Sequence, residues 1–359
     1  MKKQLILVLT LIAPLLLINC SGKSQQQVNQ SRVTYPTVTP SNQTRENSRP
    51  KNQELLGRPI NAHTPQVQTN TRPIKEIKIP VRQHPTAYGT SNLSKRFKLP
   101  SSINESSGLI RIDGKLWTLN DSGGEAKLYQ ISERNGHIVK TVTIQNAQNK
   151  DWESLAYDDN YVYIGDTGNN RGDRKDLKIY KIPRGDLRSQ KSTRAEVIHF
   201  SYSDQKDFSS KPQKNNFDCE AMVANNGKLY LFSKNWQNKK TRLYELSTSA
   251  GKQIARYKST FNINGLVTDA TLNKELDILL LSSYSPLLNV SVWAFTNYSR
   301  SNFFNGASKK LTLNTIQAQI EGISFIGNYK AYLSSESFSK YIFSFDASLY
   351  QLDFSKEFD

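Results

Sequence analysis

Cysteine, histidine and helical periodicity are all scarce in this chain of 359 residues. The two cysteines, Cys20 and Cys219, provide no internal disulfide framework, so an apolar core must hold the fold together. None of the four histidines has a partner at a metal-ligand spacing, which argues against a zinc site. The sequence also lacks a phosphate-binding loop, a dinucleotide fingerprint and a G-x-S-x-G elbow. These absences disfavour zinc enzymes, nucleotide-binding enzymes and serine hydrolases.

The N-terminus has the pattern of a secretion signal over residues 1–19. Two lysines precede an apolar run of 14 residues, Leu5 to Ile18, which is too short to span a membrane as a helix. Leu17 and Cys20 resemble the lipobox of bacterial lipoproteins, although Asn19 replaces the usual small residue. The resemblance implies lipidation of Cys20, and Ser21 resembles the sorting position of outer-membrane lipoproteins. The alternative is an ordinary signal peptide that is cleaved elsewhere.

Residues 20–95 have the composition of a disordered tether. The stretch 21–95 holds eight of the chain's 13 prolines and neither Phe nor Trp, so it cannot bury enough apolar surface to offset the entropy of ordering. A polar coil of this length spans roughly 50 Å on average. Its 11 Lys and Arg against 3 Glu give a net charge of +8 out of the chain's +17. This charge suits anionic neighbours such as lipid headgroups, lipopolysaccharide or nucleic acid, but a solvated spacer is the interpretation that we favour.

Residues 96–359 repeat one strand pattern five times, with a period of about 50 residues. The five units begin with the segments ESSGLIRI, DWESLAYD, DCEAMVAN, TDATLNKE and IEGISFIG. Each unit reads as a strand, a tight turn, a second strand, a loop, a third strand and usually an outer strand. The strands are apolar on both faces, so each sheet must pack between two neighbours.

A ring of sheets satisfies that requirement without long exposed edges. The sequence therefore predicts an all-β domain, a β-propeller of five four-stranded blades. The count becomes six if the flanking strands form a further partial blade, and a β-sandwich is the structural alternative. The segment from Arg96 to Pro100 is expected to close the ring by pairing with the C-terminal LYQLDF.

Acidic residues recur at the start of each first strand, and polar residues recur at the end of each second strand. Because these two strands are antiparallel, both sets are predicted to meet at one mouth of the central channel. The predicted acidic set is Glu105, Asp121, Glu153, Asp166, Glu220, Asp269, Glu321 and Glu336. Oxygen-rich surroundings without sulfur favour a hard cation such as Ca²⁺. Alternatively, the carboxylates cap turns and accept backbone N–H groups between blades.

The loops after the second strands open on the same face. They carry a predicted ligand rim, Arg171, Arg174, Lys234, Trp236, Lys239, Lys240, Arg242 and Tyr284. A basic, aromatic rim around an acidic centre suits an anionic ligand that a metal bridges, such as a phosphate ester or an acidic glycan. Nucleic acid is disfavoured because basic and aromatic residues interleave only sparsely. Solvated loop charges without a ligand are the alternative.

Several segments between residues 101 and 345 resemble bacterial propeller proteins of the phytase-like and esterase-like group. The segments are NDSGG, DWESLAYD with IGDTGNNR, and VTDATL with LLLSSY. The resemblance implies a calcium-dependent propeller, with phosphoester or ester hydrolysis in some members. It also implies a central acidic set of Glu105, Asp121, Glu153, Asp166, Glu220, Asp269 and Glu321.

Three functional hypotheses follow. The first is a binding or scaffold lipoprotein of the outer membrane, whose channel mouth holds Ca²⁺ and an anionic ligand or an envelope partner. The second is a Ca²⁺-dependent phosphoester or ester hydrolase, with Glu153 as the candidate base. The third is a structural envelope lipoprotein without a small-molecule site. We favour the first, since propellers host many unrelated functions.

Overall fold

The computed structural model describes residues 87–285, 289–314, 318–340 and 343–358. The predicted signal peptide at 1–19, the predicted lipidation site at Cys20 and residues 20–86 of the predicted tether lie outside the described residues. Within the described ranges, every helix is too short or too polar to cross a membrane.

In this part of the chain, the main strands form five four-stranded blades. Blade 1 contains β2 (Ser106–Ile112), β3 (Lys115–Asn120), β4 (Lys127–Ile131) and β5 (Ile138–Ile144). Blade 2 contains β6 (Trp152–Tyr157), β7 (Tyr161–Asp166), β8 (Lys178–Pro183) and β10 (Glu196–Tyr202). Blade 3 contains β11 (Asp218–Asn225), β12 (Lys228–Lys234), β13 (Thr241–Ser247) and β14 (Gly251–Phe261).

The remaining two blades come from both ends of the domain. Blade 4 contains β15 (Leu266–Asn273), β16 (Ile278–Tyr284), β17 (Val290–Thr296) and β18 (Ala307–Asn314). Blade 5 contains β19 (Ile320–Gly327), β20 (Lys330–Ser335), β23 (Ser348–Asp353) and β1 (Ala87–Lys98). Short elements join the strands: β9 (Ser192–Thr193), β21 (Phe338–Lys340), β22 (Phe343–Phe345), the helix α1 (Arg184–Ser189), and 3-10 turns at Ser101–Ile103, Phe303–Asn305 and Ser355–Glu357.

Tight turns connect the first two strands of the blades. In blade 1 the turn residues Asp113 and Gly114 have φ values of 51° and 66°, and in blade 3 Asn226 and Gly227 have φ values of 48° and 70°. Two consecutive positive φ angles define the hairpin turn that matches the right-handed twist of the strands, and Asp-Gly and Asn-Gly adopt it readily. The turn chemistry therefore fixes the register of the inner hairpins in blades 1 and 3.

The blades form a closed ring around a channel. The innermost strands contact one another in the order β2, β6, β11, β15, β19 and back to β2. Five clusters of buried apolar side chains fill the spaces between adjacent blades. One of them packs Trp117 and Leu119 of blade 1 against Leu155 and Ile164 of blade 2. The prediction of a propeller with apolar residues on both faces of each blade is confirmed.

The ring is closed by a strand from the N-terminal side of the domain, as the sequence predicts. In β1, Leu93 pairs with Leu352 and Phe97 pairs with Leu349, in an antiparallel ladder with β23. The first half of β1 pairs in parallel with β18 of blade 4. The flanking strands thus complete the fifth blade instead of forming a sixth, and β1 begins at Ala87, ahead of residue 96 where the RFKLP segment starts.

Candidate functional site

Every inner strand carries a β-bulge opposite the end of its blade's second strand. The extra residue in blades 1 to 5 is Gly108, Glu153, Glu220, Thr268 and Glu321, in that order. A bulge interrupts the alternation of side chains and re-aims the extra one. In blades 2, 3 and 5 it turns a glutamate out of the layers between blades and toward the channel mouth.

These three glutamates are buried, with exposed fractions of 4% for Glu153, 3% for Glu220 and 4% for Glu321. Burial is the main cause that raises the pKa of Glu153 and Glu220 well above its usual value, and it raises that of Glu321 to about 7. The charges of neighbouring carboxylates add to the effect, and Glu220 acts on Glu153 while Glu321 acts on Glu220. The structure therefore brings the three predicted glutamates together.

Asp269 has a different position from the three bulge glutamates, because it follows the bulge residue of its strand. Its Oδ2 accepts the backbone N–H of Leu109 at 3.2 Å and that of Ile323 at 2.8 Å. These bonds link blade 4 to blades 1 and 5 across the channel. Asp269 is fully buried, and burial raises its pKa. The sequence left two roles open for this carboxylate, a cation ligand and an acceptor of backbone N–H groups between blades. The contacts of Asp269 fit the second role.

Asp121, Asp151 and Glu153 form the tightest acidic group of the mouth. Asp121 follows the second strand of blade 1, while Asp151 and Glu153 stand at the start of blade 2. One carboxylate oxygen from each lies within 4.8 Å of the others. Two oxygens on one Ca²⁺ ion lie at most about 5 Å apart, given bonds of 2.3–2.6 Å. We call these three residues the acidic triad, and their spacing fits a hard cation.

The electrostatics of the acidic triad favour a bound cation. Burial, together with the charges of Glu105 and Asp218, raises the pKa of Asp121 to about 7. Burial and the charge of Asp121 raise the pKa of Asp151 well above its usual value. Carboxylates this close repel one another when ionised, and a cation among them relieves that repulsion.

The backbone of Gly168 borders the acidic triad. A Cβ atom at this position would lie 2.4 Å from Asp151 Oδ2 and 2.5 Å from Glu153 Oε1. Any larger residue would therefore displace the two carboxylates. Only glycine leaves room for their present arrangement.

Glu105 and Glu336 complete the acidic mouth. Glu105 directly precedes β2, and Glu336 directly follows β20. Burial raises the pKa of Glu336 well above its usual value, with further contributions from the charges of Glu321, Asp121 and Glu105. The mouth thus gathers carboxylates from blades 1, 2, 3 and 5.

Lys234 lies inside the mouth, whereas the sequence places it at the rim. It is 2% exposed, and its Nζ donates to Glu220 Oε2 at 2.5 Å. The same Nζ lies 5.0 Å from the ring centre of Trp236 and 5.3 Å from that of Tyr284. Trp236 and Tyr284 are buried as well, so they form the wall of an ammonium site and not an exposed edge.

Asp166 is fully buried and pairs with cationic side chains. Its Oδ1 accepts from Arg174 Nη2 at 2.7 Å, and Lys178 Nζ lies 3.9 Å from its Oδ2. Arg174 also donates to the carbonyl oxygen of Gly168 at 2.7 Å and lies 3.8 Å from Asp151. Asp166, which the sequence assigned to the metal set, is thus paired with Arg174, which it assigned to the rim.

The remaining rim residues lie further out. Arg171 and Lys240 are exposed, while Lys239 is half-buried and donates to the carbonyl oxygen of Trp236. Arg242 is half-buried and pairs with Asp204 at 3.1 Å. Arg171, Lys239 and Lys240 are therefore the predicted rim cations that solvent or a ligand reaches.

Sequence reasoning missed two acidic residues of the mouth, Asp151 and Asp218. Both open an Asp-x-Glu motif, at 151–153 and at 218–220, in which the glutamate is the bulge residue. Asp218 accepts the indole N–H of Trp236 at 2.7 Å and so fixes the wall of the ammonium site. The repetition of Asp-x-Glu in two consecutive units was the signal that would have identified them.

Comparisons with known proteins bear on the fold alone. No protein-family model matches the sequence, and no curated protein matches it. The solved structure titled "Crystal Structure of Mitotic Checkpoint Complex" is similar, with a TM-score of 0.33 and 12% identity over 67% of this chain and 60% of that chain. The protein folds as a β-propeller. That statement rests on its strand pairing and its closed ring of inner strands.

Proposed function

We propose that this protein is a binding module of the bacterial cell envelope whose propeller mouth holds one Ca²⁺ ion and, through it, an anionic ligand. The observation that carries the proposal is the acidic triad, in which three carboxylates from two adjacent blades converge within 4.8 Å. Oxygen ligands at this spacing are those that Ca²⁺ prefers. The resemblance to phytase-like and esterase-like propellers agrees with a calcium-binding mouth.

The surroundings of the acidic triad support an anionic ligand. A cation held by three protein oxygens keeps further coordination positions, because Ca²⁺ takes six to eight ligands. Arg171, Lys239 and Lys240 belong to the loops that follow the second strands of blades 2 and 3, and their charges favour the approach of negative charge. A phosphate ester or an acidic glycan has the oxygen atoms and the charge that both features require.

The envelope location is proposed from the N-terminal sequence. The apolar run, the lipobox resemblance at Cys20 and the residue Ser21 support an outer-membrane lipoprotein. Two or three acyl chains on such a cysteine give stable anchoring. Replacing Cys20 by serine is expected to abolish incorporation of radiolabelled palmitate and to release the protein from the membrane fraction; unchanged labelling would refute the anchor.

Calcium binding is tested by titrating the purified full-length protein with Ca²⁺ in a calorimeter after removal of metal with EDTA. We expect one ion per chain, and binding at least about tenfold weaker in Asp151→Asn because one anionic ligand is lost. Asp277→Asn is the matched control, since Asp277 is exposed in a turn between β15 and β16. Absence of binding, or equal affinity in Asp151→Asn, would overturn the proposal.

A hydrolase is the second candidate, and the position of Glu153 favours it. Glu153 is buried beside two other carboxylates of the acidic triad, and its Oε2 accepts from Ser107 Oγ at 3.4 Å. A carboxyl group with a raised pKa next to a cation is an arrangement that general-base hydrolysis uses. Ca²⁺-dependent turnover of p-nitrophenyl phosphate, lost in Glu153→Gln, would establish this activity. Binding of the same compound without turnover would support the binding module.

A further inference from the structure

The acidic mouth contains a buried positive charge, the ammonium group of Lys234, and the strand register defines its position in the ring. In each blade, the first-strand residue just before the bulge pairs with a residue of the second strand. The residue that follows this partner along the chain is Asn120, Thr167, Lys234, Tyr284 and Glu336 in blades 1 to 5, in that order. Among these five equivalent positions, only blade 3 provides a cation. Its location is therefore a property of this sequence and not of the fold.

The mouth divides into two halves of similar chemistry. The acidic triad from blades 1 and 2 forms one half. The other half consists of Glu220 and Glu321 from blades 3 and 5; the ammonium group of Lys234 donates to Glu220, and its charge acts on Glu321. In both halves carboxylates lie close together. Arg174 lies 3.8 Å from Asp151 at the edge of the first half, whereas Lys234 donates directly to Glu220 in the second.

Glu321 shows that the second half has ligand capacity left over. Its Oε2 is buried and has no hydrogen-bond partner among the described residues. An orphaned buried carboxylate oxygen is unusual in a folded protein. Lys234 Nζ is engaged by Glu220 Oε2 and by the faces of Trp236 and Tyr284. Replacing the ammonium by a free ion would leave at least two carboxylate groups to hold that ion.

We propose that the ammonium group of Lys234 is a built-in cation that occupies the place of a second divalent ion and so limits the mouth to one Ca²⁺. The proposal rests on the proposed function for the first ion, which the acidic triad would hold. In the second half, the covalently attached ammonium group carries one positive charge at the place where an exchangeable divalent ion would carry two. The bound ligand therefore meets one exchangeable metal and one permanent ammonium group.

The test is the stoichiometry of Ca²⁺ in Lys234→Gln, measured on the purified full-length protein by calorimetry and by elemental analysis. Glutamine removes the charge and keeps an oxygen that can coordinate. Lys228→Gln is the matched control, because Lys228 carries the same charge at the opposite end of β12 and forms no ion pair with a carboxylate in the described residues. We expect one ion in the wild type and in Lys228→Gln, and two in Lys234→Gln.

The outcomes separate this inference from the proposed function. One ion in the wild type and still one, or none, in Lys234→Gln overturns the inference and leaves the calcium site intact. No ion in the wild type but one in Lys234→Gln refutes the proposed function and supports the inference. Two ions in the wild type overturn the inference as well.

A melting experiment covers the case in which Lys234→Gln is unstable without metal. Saturating Ca²⁺ is then expected to restore a cooperative transition, and to raise the Tm about twice as far as in the wild type, because two ions stabilise the folded state instead of one. Lys228→Gln is expected to respond like the wild type. A variant that stays unfolded in Ca²⁺ would overturn the inference.

Discussion

Replacing Glu321 by glutamine should stabilise the metal-free protein at alkaline pH. The folded state raises the pKa of Glu321 from 4.5 to about 7, chiefly through burial. Above pH 4.5 the unfolded chain loses this proton more readily than the folded chain, so stability falls as the pH rises to about 7. The difference between the two pKa values corresponds to about 3 kcal/mol at pH 8. Glutamine has the same shape and no charge, and it removes this penalty.

The assay is urea denaturation in EDTA, followed by tryptophan fluorescence. All four tryptophans, at 117, 152, 236 and 293, are buried in the propeller and report its unfolding. We expect the free energy of unfolding of Glu321→Gln to exceed that of the wild type by about 3 kcal/mol at pH 8. At pH 4 the two should be equal, because Glu321 is then protonated in both the folded and the unfolded state. Glu275→Gln, at an exposed turn, controls for the change in net charge. Equal effects at both pH values, or a loss of stability at pH 8, would refute the electrostatic reasoning.

Three further predictions address other contacts of the mouth. Gly168→Ala should weaken the proposed Ca²⁺ binding at least about tenfold in calorimetry, because its Cβ would displace two carboxylates of the acidic triad. Gly185→Ala, with open space around it, should bind like the wild type. Asp269→Ala should lower the free energy of unfolding in urea by about 2–6 kcal/mol, because two buried N–H groups lose their acceptor, while Asp269→Asn should lose less. Arg174→Met should lower the free energy of unfolding in urea by about 3–5 kcal/mol at pH 7, because Asp166 stays buried without its main partner. An unchanged urea midpoint would contradict this.

Most of the fold could be predicted from the sequence because a propeller repeats its local signals. Alternating apolar strands, Asp-Gly and Asn-Gly turns and a period of about 50 residues all recur, so each unit supports the interpretation of the others. Closure by the N-terminal strand was also predictable, since blade 5 lacks an outer strand of its own. The start of β1 at Ala87 was less visible, because its first half pairs with blade 4 and not with its own blade.

The candidate site was less predictable because its geometry depends on bulges. Aligning carboxylates by sequence put Glu105 and Asp269 in the same column as Glu153. In the structure the equivalent bulge residues of their blades are Gly108 and Thr268, so these two carboxylates occupy other positions. A single extra residue changes which way a side chain faces, and no pattern of residue types marks it.

The burial and the contacts of a charged side chain also could not be predicted from the sequence. A lysine after a strand is usually a solvated loop residue, and nothing local distinguishes Lys234 from Lys239 or Lys240. Burial of Lys234 follows from its neighbours in the ring, where Glu220 belongs to the same blade but Tyr284 belongs to the next. Contacts between blades set its role, and those contacts are distant in sequence.

The pairing of β1 with β23 constrains the order in which the molecule assembles. These strands are the first and last of the described domain, and about 250 residues separate them, so the ladder between them has one of the longest sequence separations that the chain allows. During synthesis β1 emerges without its antiparallel partner, and it stays unpaired until almost the entire domain has followed. Until then an unpaired edge of blade 5 is available to other chains. Productive maturation of this protein therefore depends on a late, slow search by its two ends for each other.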